Sequence, residues 1–165
     1  MKKLYIIGGT MGVGKTTVSR ELKNRLSKSV FLDGDWCWDM NPFVVNNETK
    51  TMVMDNICYL LNKFIHCSEY ENIIFCWVLH EQEIIDSILS RLDKQNINVI
   101  CISLLCKEKA LRERIQKDID NKLRNKDVLE KSIERIHLYE KLDTVKIEVS
   151  EKTVADTVNE IMQLK

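Results

Sequence analysis

Four of the chain's five glycines, Gly8, Gly9, Gly12 and Gly14, fall within seven residues, directly after the apolar run Leu4-Tyr5-Ile6-Ile7. A short apolar run that ends in clustered glycines reads as a strand turning sharply, with backbone rather than side chains exposed at the turn. The fifth, Gly34, lies in Asp33-Gly34-Asp35 after Ser29-Val30-Phe31-Leu32, where glycine permits a tight turn off a strand end. The only proline is Pro42, and no glycine or proline follows it. Residues 1–165 therefore read as one domain without linker, low-complexity tract or internal repeat, and a chain of this length can bury a sizeable core.

Apolar runs and helical patterns alternate along the sequence. Strands are expected at about 4–8, 29–33, 72–79, 97–104 and 144–149, several nearly continuous in Ile, Val, Leu and Phe, as strands buried on both faces are. Helices are expected at about 14–26, 47–66, 81–93, 107–118, 127–142 and 153–164, the last with Thr153 as cap. The alternation predicts an α/β fold, a parallel sheet with helices on both faces that binds ligands at the carboxyl ends of its strands.

The turn after the first strand reads Gly9-Thr10-Met11-Gly12-Val13-Gly14-Lys15-Thr16, a complete G-x-x-x-x-G-K-[ST] between a strand and an amphipathic helix. In this motif backbone N–H groups of Gly12, Val13, Gly14, Lys15, Thr16 and Thr17 converge on phosphate. The lysine side chain reaches the β/γ-phosphates and the Thr16 hydroxyl meets Mg²⁺. The dinucleotide fingerprint G-x-G-x-x-G is absent. After the second strand, Asp33 and Asp35 stand two residues apart, and phosphoryl transfer to a hydroxyl needs two carboxylate roles: holding Mg²⁺ and receiving the acceptor proton. The same pair also serves as a capping turn in many folds, and both readings stay open here.

Composition narrows the partners. Twenty-five basic and 25 acidic side chains give no net charge, which disfavours broad nucleic-acid or anionic-membrane binding. No apolar run reaches the ~18 residues of a membrane span, and the four-residue apolar stretch before Gly8 is too short for a signal peptide, so a cytoplasmic protein is expected. The six cysteines form no C-x-x-C pair and read as reduced structural thiols.

With these residues the sequence resembles the small P-loop kinases: shikimate kinases, gluconate kinases, chloramphenicol phosphotransferase and, more distantly, adenylate kinase. The resemblance rests on the motif at 9–16, the Asp33-Gly34-Asp35 turn, and the elements Leu111-Arg112-Glu113-Arg114-Ile115 and Arg135-Ile136-His137-Leu138-Tyr139. It implies a P-loop NTPase fold of five parallel strands in the order 2-3-1-4-5 with a mobile lid at about 116–127. It further implies ATP and Mg²⁺ as nucleotide and metal, a small-molecule hydroxyl acceptor, and a monomer or small homo-oligomer. By the same resemblance Lys15 is catalytic, Asp35 is the acceptor-side base and Asp33 a Mg²⁺ ligand through water. Arg114 then stacks on the nucleotide, Arg124 is a lid arginine and Arg135 faces the acceptor or the transferring phosphoryl. Residues 107–126 carry eight basic and four acidic side chains in a neutral protein, the sign a lid over triphosphate needs, although a solvated helix face gives the same pattern.

The departures bear on the acceptor. The third strand ends Trp77-Val78-Leu79-His80-Glu81, without the usual metal-binding aspartate or the glycine run of shikimate kinases, so Asp33, or else Glu81, must serve the metal. His80 is placed to touch the acceptor or simply to enter a helix. No arginine occurs from 26 to 90, whereas anionic acceptors are usually held by bidentate guanidinium, so shikimate and nucleoside monophosphates fit poorly. Trp36, Trp38, Met40, Pro42 and Phe43 offer instead an aromatic wall for an uncharged or cationic compound with a ring, or else plain core packing. Two other functions remain compatible with the sequence: a P-loop protein that binds or hydrolyses nucleotide without transfer, as a switch or resistance protein, and a nucleic-acid end kinase, which the neutral charge disfavours.

Overall fold

The computed structural model describes residues 1–125 and 127–164. Strands β1 (Lys2–Gly8), β2 (Ser29–Asp33), β3 (Asn72–Cys76), β4 (Ile97–Leu105) and β5 (Val145–Glu148) form one parallel sheet in the order β2-β3-β1-β4-β5. Helices α1 (Lys15–Arg25), α2 (Asn47–His66), α3 (Gln82–Ser90), α4 (Glu108–Asp120), α5 (Val128–Glu134) and α6 (Val154–Gln163) cover the sheet, with 3-10 turns over Gly34–Trp38 and Ile136–Lys141.

The continuous apolar runs follow from burial on both sheet faces. In β1, Tyr5 and Ile7 pack with Val18 and Leu22 of α1, Ile115 of α4 and Val158 of α6. Leu4 and Ile6 point the other way, into Ile57 and Leu61 of α2 and Ile85 and Ile88 of α3. Each such buried side chain is worth about 1.5–3 kcal/mol against exposure, so a one-residue slip of β1 would exchange two cores. Local chemistry sets the helix starts. At α2 the Asn46 carbonyl side chain accepts from Thr49 N at 2.9 Å, and at α6 the Thr153 hydroxyl accepts from Asp156 N at 3.1 Å, the cap read from the sequence.

Two expectations need correction. The third strand stops at Cys76 rather than 79, because after Trp77 N bonds Ile7 O the chain turns back, Leu79 N donating to Trp77 O. The helix expected over 127–142 is α5 followed by a 3-10 turn. Leu129, Ile133 and Ile136 pack on the α1 side of the sheet whereas Tyr139 and Leu142 pack on the α2 side, and one straight helix has no face that reaches both. Within the stretch 116–127, where a lid is expected, 116–120 complete α4 and residues 121–125 form an irregular connection; Lys126 lies outside the described residues. Among the described residues no helix is long and apolar enough to cross a membrane.

Strand order fixes where ligands go. From β1 the chain runs outward to β2 and β3, then to β4 and β5 on the other side, so the crevice opens at the carboxyl end of β1. The register sets Ile7 level with Cys76 and Cys76 level with Asp33, which brings the end of β2 beside the glycine turn.

Candidate active site

The turn after β1 is shaped by what lies behind it. Gly12 has φ +81, and a Cβ there would meet Ile115 Cγ1 of α4 at 2.5 Å, so only glycine lets the loop pass under that helix. Thr10 is buried and its hydroxyl donates to Ser132 O at 2.7 Å, tying the loop to α5. Helix α1 opens at Gly14 with no side-chain cap and no acidic residue in its first turn, leaving N–H groups and the positive helix end for an anion. Lys15 is buried, with Nζ donating to Thr10 O at 3.1 Å. Desolvation lowers the pKa of this ammonium, while the Asp35 and Asp33 carboxylates pull it back up. Burial pushes the Cys76 thiol up to about 12, so it stays neutral beside the lysine.

Asp33 is buried at the end of β2 and uses both carboxylate oxygens. Oδ2 accepts from the Thr16 hydroxyl at 2.7 Å, and Oδ1 accepts from Asp35 N at 3.1 Å, capping the 3-10 turn. Asp33 is thus a turn cap and also the partner of Thr16. A hydroxyl and a carboxylate side by side next to a phosphate loop form a hard oxygen donor set that fits Mg²⁺. Glu81 is not brought there; it starts α3, is exposed and faces His80 at 3.3 Å.

Asp35 opens onto the cleft. Its pKa is raised, first by desolvation and then by Asp33, against the opposing pull of Lys15, a hydrogen bond from the Trp77 side chain, and Arg124. Trp77 also explains Gly34: the expected tight turn is there without a positive φ, and a Cβ at Gly34 would meet Trp77 Cγ at 2.5 Å and Cδ1 at 2.7 Å, so the glycine is needed to admit an indole.

Two cavities meet at this carboxylate. One, of about 310 Å³, is bounded by the glycine turn, Lys15, Thr16, Thr17, Asp35, Arg114, Asp118 and Arg124. Arg124 Nε bonds Asp118 Oδ2 at 2.9 Å. Arg114 is fixed by carbonyls, donating to Val13 O at 3.1 Å and Val149 O at 2.6 Å, and it also borders an adjoining 320 Å³ cavity reaching Thr17, Thr153 and Thr157. The other cavity, of about 640 Å³, is lined by Asp35, Trp36, Trp38, Asp39, Phe43, Val78 and Arg135. Trp36 leans edge-on against Phe31 with centroids 5.2 Å apart, and Trp38 meets Phe43 at 5.9 Å. Both indoles line the cavity from a 3-10 turn. His80 does not line it; the ring nitrogen Nδ1 lies 3.2 Å from Val78 O, as in the helix-entry reading. Sequence reasoning missed Asp39, Val78, Asp118 and Trp77. Asp39 and Trp77 were hidden because their places depend on the 3-10 turn and on the β2–β3 pairing.

Thr16→Ala is expected to shrink the Mg²⁺-dependent part of the rise in melting temperature caused by ATP, and Asp33→Asn to move the Mg²⁺ requirement. Thermal melts with Mg²⁺ and with EDTA check this, and an unchanged metal-dependent rise in Thr16→Ala would remove Thr16 from the metal site.

A five-stranded parallel sheet in this order, with a glycine turn leading into α1 at its central strand, defines a P-loop NTPase fold. A family profile described as an AAA domain matches residues 6–137, and the chain belongs to that family. The fold is shared with a gluconokinase from Sinorhizobium meliloti (15% identity, TM-score 0.70, covering 96% of this chain and 88% of that one). It is shared also with a shikimate kinase from Acinetobacter baumannii in complex with shikimate (21%, 0.65, 99% and 92%) and a tunicamycin resistance protein from Deinococcus radiodurans (14%, 0.66, 100% and 98%). No curated protein sequence matches the chain.

Proposed function

We propose that the protein, as one kinase domain over residues 1–165, transfers the γ-phosphoryl group of ATP to a hydroxyl of a small acceptor that carries a ring and no negative charge. The observation that supports this most directly is that Asp35 borders both the phosphate-side cavity and the aromatic cavity, so an acceptor hydroxyl and a terminal phosphate would meet at one carboxylate. In this reading the N–H groups of Gly12 to Thr17 hold the β-phosphate and Lys15 bridges β and γ. Arg114 lies along the base in the adjoining cavity, and Arg124, on a connection that closes as a lid, neutralises charge on the transferring group. Asp35 accepts the hydroxyl proton as the oxygen attacks phosphorus, and its raised pKa suits a base working near neutral pH. Mg²⁺, held by Thr16 and, through water, Asp33, would neutralise the phosphate oxygens. Arg135 faces the transferring phosphoryl from the end of α5, which Thr10 ties to the loop through Ser132. The small-molecule kinases that share the fold are in keeping with this chemistry.

The test is a thermal-shift screen of nucleosides, sugars, amino alcohols and antibiotics with Mg²⁺ and a non-hydrolysable ATP analogue, followed by acceptor-dependent ADP release for the compounds that stabilise the protein. ADP release that rises with one class of hydroxyl compound supports the reading; release indifferent to all of them favours hydrolysis without transfer. For an acceptor found this way, Trp36→Ala is expected to raise its KM about tenfold, on the order of the loss of one aromatic stacking face, with the KM for ATP nearly unchanged. Equal changes in both KM values would place Trp36 outside the acceptor wall.

A further inference from the structure

The acceptor cavity carries charges beyond those the transfer step uses. Its lining contains two carboxylates, Asp35 and Asp39, and one guanidinium, Arg135. Asp35 is occupied as the base and Arg135 as the partner of the transferring phosphoryl, which leaves Asp39. This side chain follows the 3-10 turn directly, is exposed, lines the cavity, and makes no hydrogen bond or ion pair among the described residues. Next to it in sequence stands Trp38, paired with Phe43, and across the turn stands Trp36, about half exposed at 52% although a large apolar side chain gains nothing from water. A free carboxylate beside exposed indole and phenyl faces has the composition of a site for an organic ammonium, which gains from the carboxylate through charge and from the ring faces through their quadrupole.

Resting on the phosphotransferase reading above, we propose that the acceptor is an amino alcohol: a ring-bearing hydroxyl compound whose ammonium group is held by Asp39 against Trp38 and Trp36. Stretch 26–90 holds only Lys28, Lys50 and Lys63 and no arginine, and none of these lysines lines the cavity, so apart from Arg135 nothing there repels such a cation. An anionic acceptor would instead compete with the γ-phosphate for Arg135 and face two carboxylates. An exposed ion pair adds little and a cation over an aromatic face somewhat more, so together they predict about a three- to thirtyfold preference for the charged member of an otherwise matched pair.

The experiment measures binding, so it stands apart from whether transfer occurs. Dissociation constants are determined calorimetrically with Mg²⁺ and a non-hydrolysable ATP analogue for matched pairs: 2-amino-1-phenylethanol beside 1-phenylethanol, glucosamine beside glucose, and 3′-amino-3′-deoxyadenosine beside adenosine. Each is also compared with a carboxylated counterpart. The amino member of a pair is expected to bind three- to thirtyfold more tightly, and Asp39→Asn to erase that difference while leaving the neutral member's affinity and the ligand-free melting temperature unchanged. Asp39 is exposed and makes no internal bond among the described residues, so the variant should fold. Equal or better binding of the neutral or carboxylated members, a preference that survives Asp39→Asn, or no binding of any amino alcohol at millimolar concentration would overturn the proposal. Amino alcohols that bind as expected but elicit no ADP release would leave this inference standing and defeat the kinase reading instead.

Discussion

Lys15→Ala is expected to lower phosphoryl transfer by on the order of 10³-fold or more while the protein stays folded, since removing a fixed charge from a phosphoryl-transfer site costs at least what removing one oxyanion donor does. Spacing alone puts Lys15 at the start of a helix after a glycine turn, where its side chain supports no core. In the structure it is buried, and the ground for expecting a folded variant changes with it. Among the described residues its Nζ makes one hydrogen bond, to Thr10 O, worth about 1.5–3 kcal/mol for a charged donor. Against that stands an ammonium held in a desolvated place, which truncation relieves. The two effects oppose each other, so the melting temperature should move little. Turnover and melting curves on the same preparation check both halves; undiminished turnover would remove Lys15 from the phosphate site.

Asp35→Asn should lower kcat by ~10² or more with little change in nucleotide affinity, the scale of losing a general base. Because the carboxyl's pKa is raised in the fold, the acid limb of the wild-type kcat/KM profile should lie above the ordinary carboxylate range of about 4. The same shift fixes the sign of a stability effect. A carboxyl whose folded pKa lies above its unfolded one destabilises the fold when ionised, so the penalty is absent below the unfolded pKa and grows as pH rises to the folded one. Asp35→Asn should therefore melt at a higher temperature than the wild type at neutral pH, and the gap should close in acid below about pH 4. The gain should be modest, since Asp35 opens onto the cleft and solvent screens it. A kcat equal to wild type would remove Asp35 as the base, and a stabilisation that persists unchanged in acid would show that its carboxyl is not held above the ordinary range.

Much of this site was legible in the sequence because its parts are local. The glycine turn, α1 and the Asp33–Asp35 pair lie in two short segments, so the spacing of their residues already brought Gly12, Thr16 and the two aspartates into one neighbourhood. Arg114 and Arg135 came only through a family resemblance, since nothing in their own neighbourhoods distinguishes a cavity-lining arginine from the charged helix face around it. Gly34 was read only in part: the tight turn expected after the strand is there, yet the need for glycine comes from Trp77, more than forty positions along the chain and one residue past the end of the adjacent strand. That cause becomes visible once β2 is known to pair with β3. The break between α5 and the following 3-10 turn was hidden for a similar reason: its residues keep helical spacing while their apolar side chains change from one sheet face to the other at Tyr139.

Transfer itself is tested most directly by following the phosphoryl group. The protein is incubated with Mg²⁺, γ-labelled ATP and a pool of nucleosides, sugars and aromatic amino alcohols, and the label is separated into organic phosphate monoester and orthophosphate. Label is expected to accumulate in a monoester, in proportion to ADP formed, and to vanish from it in Asp35→Asn. If all label appears as orthophosphate at a rate the pool does not alter, the protein hydrolyses nucleotide and is not a kinase of small hydroxyl compounds.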